Sequence, residues 1–468
     1  MTPMIDPIPN PHEIPRGGFG FGISSQAWPW WLYNAGQLTL IMAGWKVLVI
    51  LLVFSKKMRA KLSVGWKEKL GCYSAERLVR WNQPSPKPRL WLHAVSVGEV
   101  NALRPLITLL ANDYEVWLST TTATGQVVAK ALTQELCGED RTFYAPWDLL
   151  FCVASTFAHM KPALLAVVET ELWPNWLLAG RLNTIPMVLI NGRLSPKSYR
   201  GYRWLKWLMA PVLRCFSAVL AQSVGDAERL TALGAANVTV MGNLKWDYSP
   251  TENSALRENL QQMLGIGSSQ NEARPWIVIA STRGGEPLDE EAVLLPALAT
   301  LKKRYPALRF VLAVRHPERG DCVATMVQNE GLSVAQRSQW DGVAAVEEDV
   351  VILDTIGELT TLYRLMDLAV MGGSFIPHGG QNPLEPLAVG IPTLVGPCMT
   401  NFAAIEAELL AVQACEKVAS ADALVAQVAV WLENPEEAKA SVARAQVVLA
   451  QHKGASQRVC NIINPLID

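Results

Sequence analysis

The sequence predicts an α/β chain of two doubly wound halves, each a parallel sheet with helices on both faces. Three observations predict it. Apolar runs of strand length recur with helical stretches between them, the alternation that βαβ units require. Several of these runs end in clusters of Gly, Pro, charge and amide, where open α/β folds place their ligands. The alternation also weakens once, between Ser249 and Pro275. A chain of 468 residues exceeds a single core, since domains run ~100–200 residues. The expected division is an arm and anchor over 1–64, a first domain over 65–248, a linker over 249–274 and a second domain over 275–468.

The N-terminal 27 residues are rich in Pro and Gly and read as a loosely packed arm. GGFGFG at Gly17–Gly22 has neither a preceding strand nor a following helix, so it is not a nucleotide loop. From Trp28 to Phe54 the chain turns apolar, and AGQLTLIMAGWKVLVILLVF matches the ~20 residues that a bilayer requires. Lys46 interrupts it but can snorkel, and Trp28, Trp30 and Trp31 suit an interface. A spanning anchor helix is the expectation; a helix lying in one leaflet is the alternative. Lys56, Lys57, Arg59 and Lys61 follow at once. They place the rest of the chain on the cytoplasmic face of the inner membrane and would attract lipid headgroups.

Beyond the Pro-rich stretch Pro84–Pro88, the first half offers LWLHAV, YEVWLST, LLAVV, MVLI, AVLAQ and VTVM as strands. The second half offers WIVIAST, RFVLAV, VVILD, LAVMGG and TLVGP, and residues 421–468 read as helical, capping the second domain or crossing back to the first. Hydrophobic residues make up 50% of the chain, which suits a membrane contact, and the net charge of −1 lacks the basic excess of a nucleic-acid binder. The eight cysteines form no C-x-x-C pair and read as free thiols. No metal site is expected.

The edge LWLHAVSVGEVNALR, residues 90–104, is the most informative. A strand runs into a tight turn, and Glu99 falls in the first turn of the following helix. The helix dipole favours its ionised form there, and a carboxylate in that place can take a proton from a hydroxyl. An acidic helix start without chemistry is the plain alternative. Further edges are LLAVVETELWPN (164–175), VTVMGNLKWD (238–247), LAVRHPER (312–319) and AVMGGSFIPHGGQNPLEP (369–386). The loop in WIVIASTRGGE is a natural anion site. Arg315 and His316 can grip phosphate or carboxylate. Ile356–Glu358 and Asn382–Glu385 each open a helix, and Pro383 suits a first turn.

Taken in order, these motifs closely resemble the Kdo transferases, membrane-bound glycosyltransferases that add 3-deoxy-D-manno-octulosonic acid to a lipid A precursor. The resemblance runs from about Gly65 to the C-terminus. It implies a GT-B glycosyltransferase fold, two Rossmann-like domains facing a cleft, and inverting transfer of Kdo from CMP-Kdo to lipid IVA in lipopolysaccharide core synthesis. It implies Glu99 as general base and Glu169 and Lys245 as transition-state stabilisers. It further implies that Val314, Arg315, Ile356, Gly357, Glu358, Asn382, Pro383, Leu384 and Glu385 contact the CMP part of the donor, with Glu385 on the ribose hydroxyls. CMP-Kdo is a co-substrate, no cofactor is expected, and the expected partners are donor, lipid A precursor and membrane lipids, with no nucleic acid.

Alternatives stand beside this. Glu169 and Lys245 could form a structural ion pair, Arg315 could pair with Glu318, and Asn382–Glu385 could simply cap a helix. The family usually has His and an acidic residue where Arg283 and Gly284 stand, and favours Arg and His where His378 and Gln381 stand, which bears on the identity of the donor sugar. Another sugar-nucleotide-dependent lipid transferase is the nearest rival. AVSVG at Ala94–Gly98 also resembles a nucleophile elbow, which would make Ser96 an esterase nucleophile with His378 as a partner. A membrane-bound binding protein without catalysis is a third reading.

Overall fold

The computed structural model describes residues 30, 32–37, 39, 64–248, 253–267, 274–284 and 288–467. The chain forms two compact units. One comprises the described residues up to Asp247 together with Gly454–Ile467, and the other is Tyr248–Lys453.

The first unit holds a seven-stranded sheet: β1 Arg89–His93, β2 Glu115–Thr120, β3 Thr142–Tyr144, β4 Leu164–Val168, β5 Met187–Gly192, β6 Ala218–Ala221 and β7 Val238–Val240. The order is β3-β2-β1-β4-β5-β6-β7, parallel throughout. Parallel strands are covered on both faces, so β1, β2, β4 and β5 are buried along their whole length. Alternate residues feed two cores. Leu90, Leu92, Val116, Leu118 and Ala166 pack on one side with helices Arg104–Leu110 and Ala123–Cys137. Trp91, Trp117, Leu165, Val167 and Leu189 pack on the other with helices Leu150–Met160, Pro174–Leu182 and Lys206–Leu213.

The second unit repeats the plan: β8 Trp276–Thr282, β9 Arg309–Val314, β10 Val334–Gln336, β11 Val350–Leu353, β12 Leu368–Met371, β13 Thr393–Val395 and β14 Glu416–Lys417. Their order is β10-β11-β9-β8-β12-β13-β14, again parallel. In each sheet the strand order reverses beside the first strand, between β1 and β4 and between β8 and β12. These are the topological switch points where such sheets bind ligands.

Two boundaries differ from the sequence expectation. The segment read as a linker carries helix Ser254–Leu264, capped by the Asn253 side chain, and its Leu260, Met263 and Leu264 belong to the second unit's core. The C-terminal region divides. Helices Ala421–Glu433 and Pro435–His452 stay with the second unit, while Ala455–Ile467 returns to the first. The return is fixed by packing and by a cap. Ala455, Val459, Cys460 and Ile463 join the core around Leu90 and Val116. The buried Asp247 carboxylate accepts the amides of Gly454 (2.7 Å), Ala455 (3.2 Å) and Ser456.

Most of the expected anchor, Trp28–Phe54, lies outside the described residues. Of that stretch, Trp30, Leu32–Gln37 and Thr39 are described, and they are helical. Among the described residues, no helix is long and apolar enough to cross a membrane.

Candidate active site

In the first unit, Ser96 caps helix Val97–Ala102 by accepting the Glu99 amide. The Glu99 carboxylate folds back over the cap. It accepts the Ser96 hydroxyl at 2.7 Å and the Val95 amide at 2.8 Å. This is a variant of the capping box, with the acid reaching the amide before the cap. It fixes one rotamer at the β1 side of the switch point. Burial and the neighbouring Glu169 push the Glu99 carboxyl above its ordinary value, against these two hydrogen bonds. A raised carboxylate is a stronger base, which suits proton abstraction.

Glu169 stands across the switch point, directly after β4. Its φ is +60°, a left-handed conformation uncommon for a non-glycine residue and concentrated at functional sites. Its amide donates to the Ile190 carbonyl at 2.8 Å, which holds the turn. Lys245 Nζ lies 3.9 Å from Glu169 Oε1, at the limit of an ion pair, so the structural pairing weighed from sequence exists as a loose contact. Lys245 sits in the 3₁₀ turn Leu244–Asp247. Asn191, also left-handed, fixes that turn by accepting the Leu244 amide at 3.1 Å, and Asp247 ties its far end to the C-terminal helix. Glu99, Glu169 and Lys245 therefore share one sheet edge.

The esterase geometry is not formed. An elbow nucleophile sits on a strained turn, whereas Ser96 has φ −113° and ψ 163°, an ordinary cap conformation. Its hydroxyl donates to a carboxylate, not to an imidazole.

In the second unit, Arg283 follows β8 and Arg315 follows β9. The two guanidinium groups are close enough that Arg315, together with burial, lowers the Arg283 pKa. Arg283 Nε is buried without a hydrogen-bond partner among the described residues. Two adjacent cations, one with an unsatisfied buried donor, suit a phosphate or carboxylate. Glu318 pairs with His316, at 3.6 Å, and the Arg315–Glu318 pair weighed as an alternative is not formed. Val314 ends β9 with its side chain in the core, leaving only its backbone to meet a ligand.

Asn382 stands just before the start of helix Leu384–Ala388: its Oδ1 accepts the Leu384 amide at 3.2 Å, and its Nδ2 reaches Glu385 at 3.4 Å. Pro383 stands at the cap, one place before the expected first turn. Burial pushes the Glu385 carboxyl up to about 7, opposed by Asn382 and by Arg315, so Glu385 belongs to the same cluster. Ile356 is exposed and Gly357 has φ +91° before helix Leu359–Tyr363. Glu358 is held by the Arg337 guanidinium through two bonds, 2.8 and 3.1 Å. Its side chain thus has a structural partner besides any ligand. Gly285 and Glu286 of the expected anion loop lie outside the described residues.

Sequence reasoning missed Glu290. This fully buried carboxylate accepts the amides of Arg283 (3.1 Å), Gly373 (2.6 Å) and Phe375 (2.9 Å). It therefore stitches the loops after β8 and β12 across the second switch point. The strands meet closely there: a Cβ on Gly372 would lie 2.7 Å from the Ala280 carbonyl oxygen. One signal was available. Glu290 falls in helical register with Leu294, Leu298 and Leu301, all buried on the core face of its helix.

The two parallel sheets, each with its candidate residues at a switch point, define a two-unit doubly wound α/β protein. A glycosyltransferase from Rickettsia africae shares the fold, at 14% identity and a TM-score of 0.53, covering 82% of this chain and 100% of that one. A family model described as 3-deoxy-D-manno-octulosonic-acid transferase matches residues 64–248. The 3-deoxy-D-manno-octulosonic acid transferase of Haemophilus influenzae is 32% identical over 426 residues, covering 90% of this chain and 94% of that one. That of Bordetella pertussis is 32% identical over 437 residues, covering 92% and 98%. The chain belongs to the 3-deoxy-D-manno-octulosonic acid transferase family and is a glycosyltransferase.

Proposed function

We propose that the chain moves Kdo from CMP-Kdo to a lipid A precursor, lipid IVA, with inversion at the anomeric carbon, as a GT-B enzyme of lipopolysaccharide core synthesis. The observation that carries the mechanism is the Glu99 carboxylate. It is fixed in one rotamer at a switch point, raised in pKa, and beside Glu169 and Lys245.

Glu99 takes the proton from the acceptor hydroxyl as that oxygen attacks the anomeric carbon. The bond to CMP breaks on the opposite side, and the leaving group departs as CMP without needing an acid. The ketose centre carries oxocarbenium character in between, which the Glu169 carboxylate stabilises, while Lys245 offsets negative charge on phosphate or on the sugar carboxylate. In the second unit Arg315 and Arg283 meet the donor's anionic groups, and Glu385, with its raised pKa, meets the ribose hydroxyls. Val314, Ile356, Gly357, Asn382, Pro383 and Leu384 complete that site, chiefly through backbone. Arg283 and Arg315 offset the donor's negative charge, so the proposed reaction uses neither metal nor organic cofactor.

The acceptor is a lipid, and the apolar stretch before Phe54 and the basic run Lys56–Lys61 support action at the cytoplasmic face of the inner membrane. A second reading keeps the lipid acceptor but changes the sugar. It is favoured by Arg283 and Gly284, which depart from the family pattern at the donor loop. Incubating the purified chain with lipid IVA and either CMP-Kdo or a set of UDP-sugars separates the two. Mass increments of Kdo on lipid IVA from CMP-Kdo alone are expected. Transfer only from a UDP-sugar would reject the Kdo reading.

A further inference from the structure

The Pro174–Leu182 side of the first unit carries large apolar side chains in water. Trp204 is 82% exposed and Leu182 and Phe151 are each 62% exposed, with Leu150, Leu205 and Trp207 exposed beside them in the sequence. They lie on neighbouring helices of one sheet face: Leu150–Met160 packs against Pro174–Leu182, which packs against Lys206–Leu213, which packs against Pro196–Trp204, the helix that ends in Trp204. Contiguous exposed aromatic and aliphatic groups of this size mark an interaction surface.

The charge along the segment that carries Trp204 and Trp207 is one-sided, although the adjoining helix Val224–Leu233 holds Asp226 and Glu228. From Leu172 to Gly225 the sequence contains seven basic residues, Arg181, Arg193, Lys197, Arg200, Arg203, Lys206 and Arg214, and no Asp or Glu. Lys197, Arg200, Arg203 and Lys206 are all exposed, interleaved with Trp204, Leu205 and Trp207. A second copy presenting the same face would oppose like charges. A surface that is negative outside and apolar within matches both components.

The N-terminal helix sits at the same place. Asn34 and Asn175 exchange side-chain amide bonds of 3.0 and 3.1 Å, and Tyr33 donates to Asp148 at 2.7 Å. Asp148 in turn accepts the amides of Asn175 and Trp176, the first turn of helix Pro174–Leu182. In the sequence, these docked residues lie within the apolar stretch Trp28–Phe54.

We propose that this face, centred on residues 196–207 with Leu150, Phe151 and Leu182, docks on the surface of an anionic phospholipid bilayer. Trp204 and Trp207 enter the headgroup layer, and the four exposed basic residues meet the lipid phosphates. The docking is a property of the first unit and is independent of which sugar is transferred.

Hydroxyl-radical footprinting of the full-length chain on vesicles tests it. Oxidation of Trp204 and Trp207 is expected to fall severalfold on phosphatidylcholine vesicles containing phosphatidylglycerol, relative to phosphatidylcholine alone. Leu109, exposed on the opposite sheet face, should not change. The double variant Arg200→Glu/Arg203→Glu should restore Trp204 oxidation. Its apparent affinity for anionic vesicles should fall roughly 25-fold per residue reversed, about fivefold for each of the two charge units, with an unaltered circular-dichroism spectrum. Vesicle-bound protein with Trp204 and Trp207 oxidised as in lipid-free solution would overturn the proposal. So would concentration-dependent protection without lipid, which would make a second copy the occupant, or full protection in the double variant.

Discussion

Asp247→Ala should loosen the C-terminal helix and, through it, the Lys245 turn. The Asp247 carboxylate is buried and accepts three successive amides at the start of helix Ala455–Ile467. Replacing an ordinary cap by alanine costs about 0.5–2 kcal/mol. Here the acceptor is charged, serves three donors and is out of water, so the cost should reach about 2–3 kcal/mol. Each 1.4 kcal/mol is about a factor of ten, so the opening equilibrium of residues 455–467 should rise roughly 30- to 150-fold. Hydrogen–deuterium exchange resolved by peptide reads this directly. The loss of protection should be confined to residues 455–467 and the 244–247 turn. Asp247→Asn, which keeps one acceptor oxygen, should fall between the two. Wild-type exchange rates over 455–467 in Asp247→Ala would refute the reasoning, because the helix would then be held by its apolar face alone.

Glu99→Gln keeps the shape of the cap but removes the base, so kcat should fall by ~10²–10⁴ while CMP affinity is unchanged. In the wild type the acid limb of the kcat profile should lie above the ordinary glutamate range, since Glu99 acts deprotonated and its pKa is raised. Arg315→Ala should weaken CMP binding by ~1.5–3 kcal/mol in calorimetry, and unchanged affinity would remove Arg315 from the site. Asp148 is held near pH 7 by burial, against an ordinary 3.8. A raised acid contributes stability below its unfolded value and loses it as pH rises through the folded one. Denaturant melts of the first unit should therefore weaken between about pH 4 and 7, by at most about 4 kcal/mol, and Asp148→Asn should flatten that slope.

The central strands were legible because parallel strands are buried on both faces and so read as apolar runs, as in LWLH and WIVIA. Of the four edge strands, β7 was read from VTVM, while β3, β10 and β14, of three, three and two residues, carry no such run. Glu99 could be read from local sequence, since its cap lies three residues away at Ser96. Glu290 could not. Two of its three partners lie more than eighty residues along the chain, at Gly373 and Phe375, and no local pattern encodes such a contact. The C-terminal helix was legible as a helix, but its apolar face does not say which core receives it. That is decided by Asp247, which is 207 residues from Gly454.

The return of that last helix makes the second unit an insertion within the first, and this fixes an order of events during synthesis. Residues 454–467 are translated after the whole of Tyr248–Lys453. At ~5–20 residues per second, the ribosome reaches them roughly 10–40 s after Asp247. Until then the nascent first unit lacks Val459 and Ile463 from its core, and Asp247 holds a buried-type carboxylate with nothing to accept. The second unit has its whole chain in hand at Lys453, before the first does. The half that begins first is thus completed last, and its unfinished apolar face is what a chaperone would meet on the growing chain.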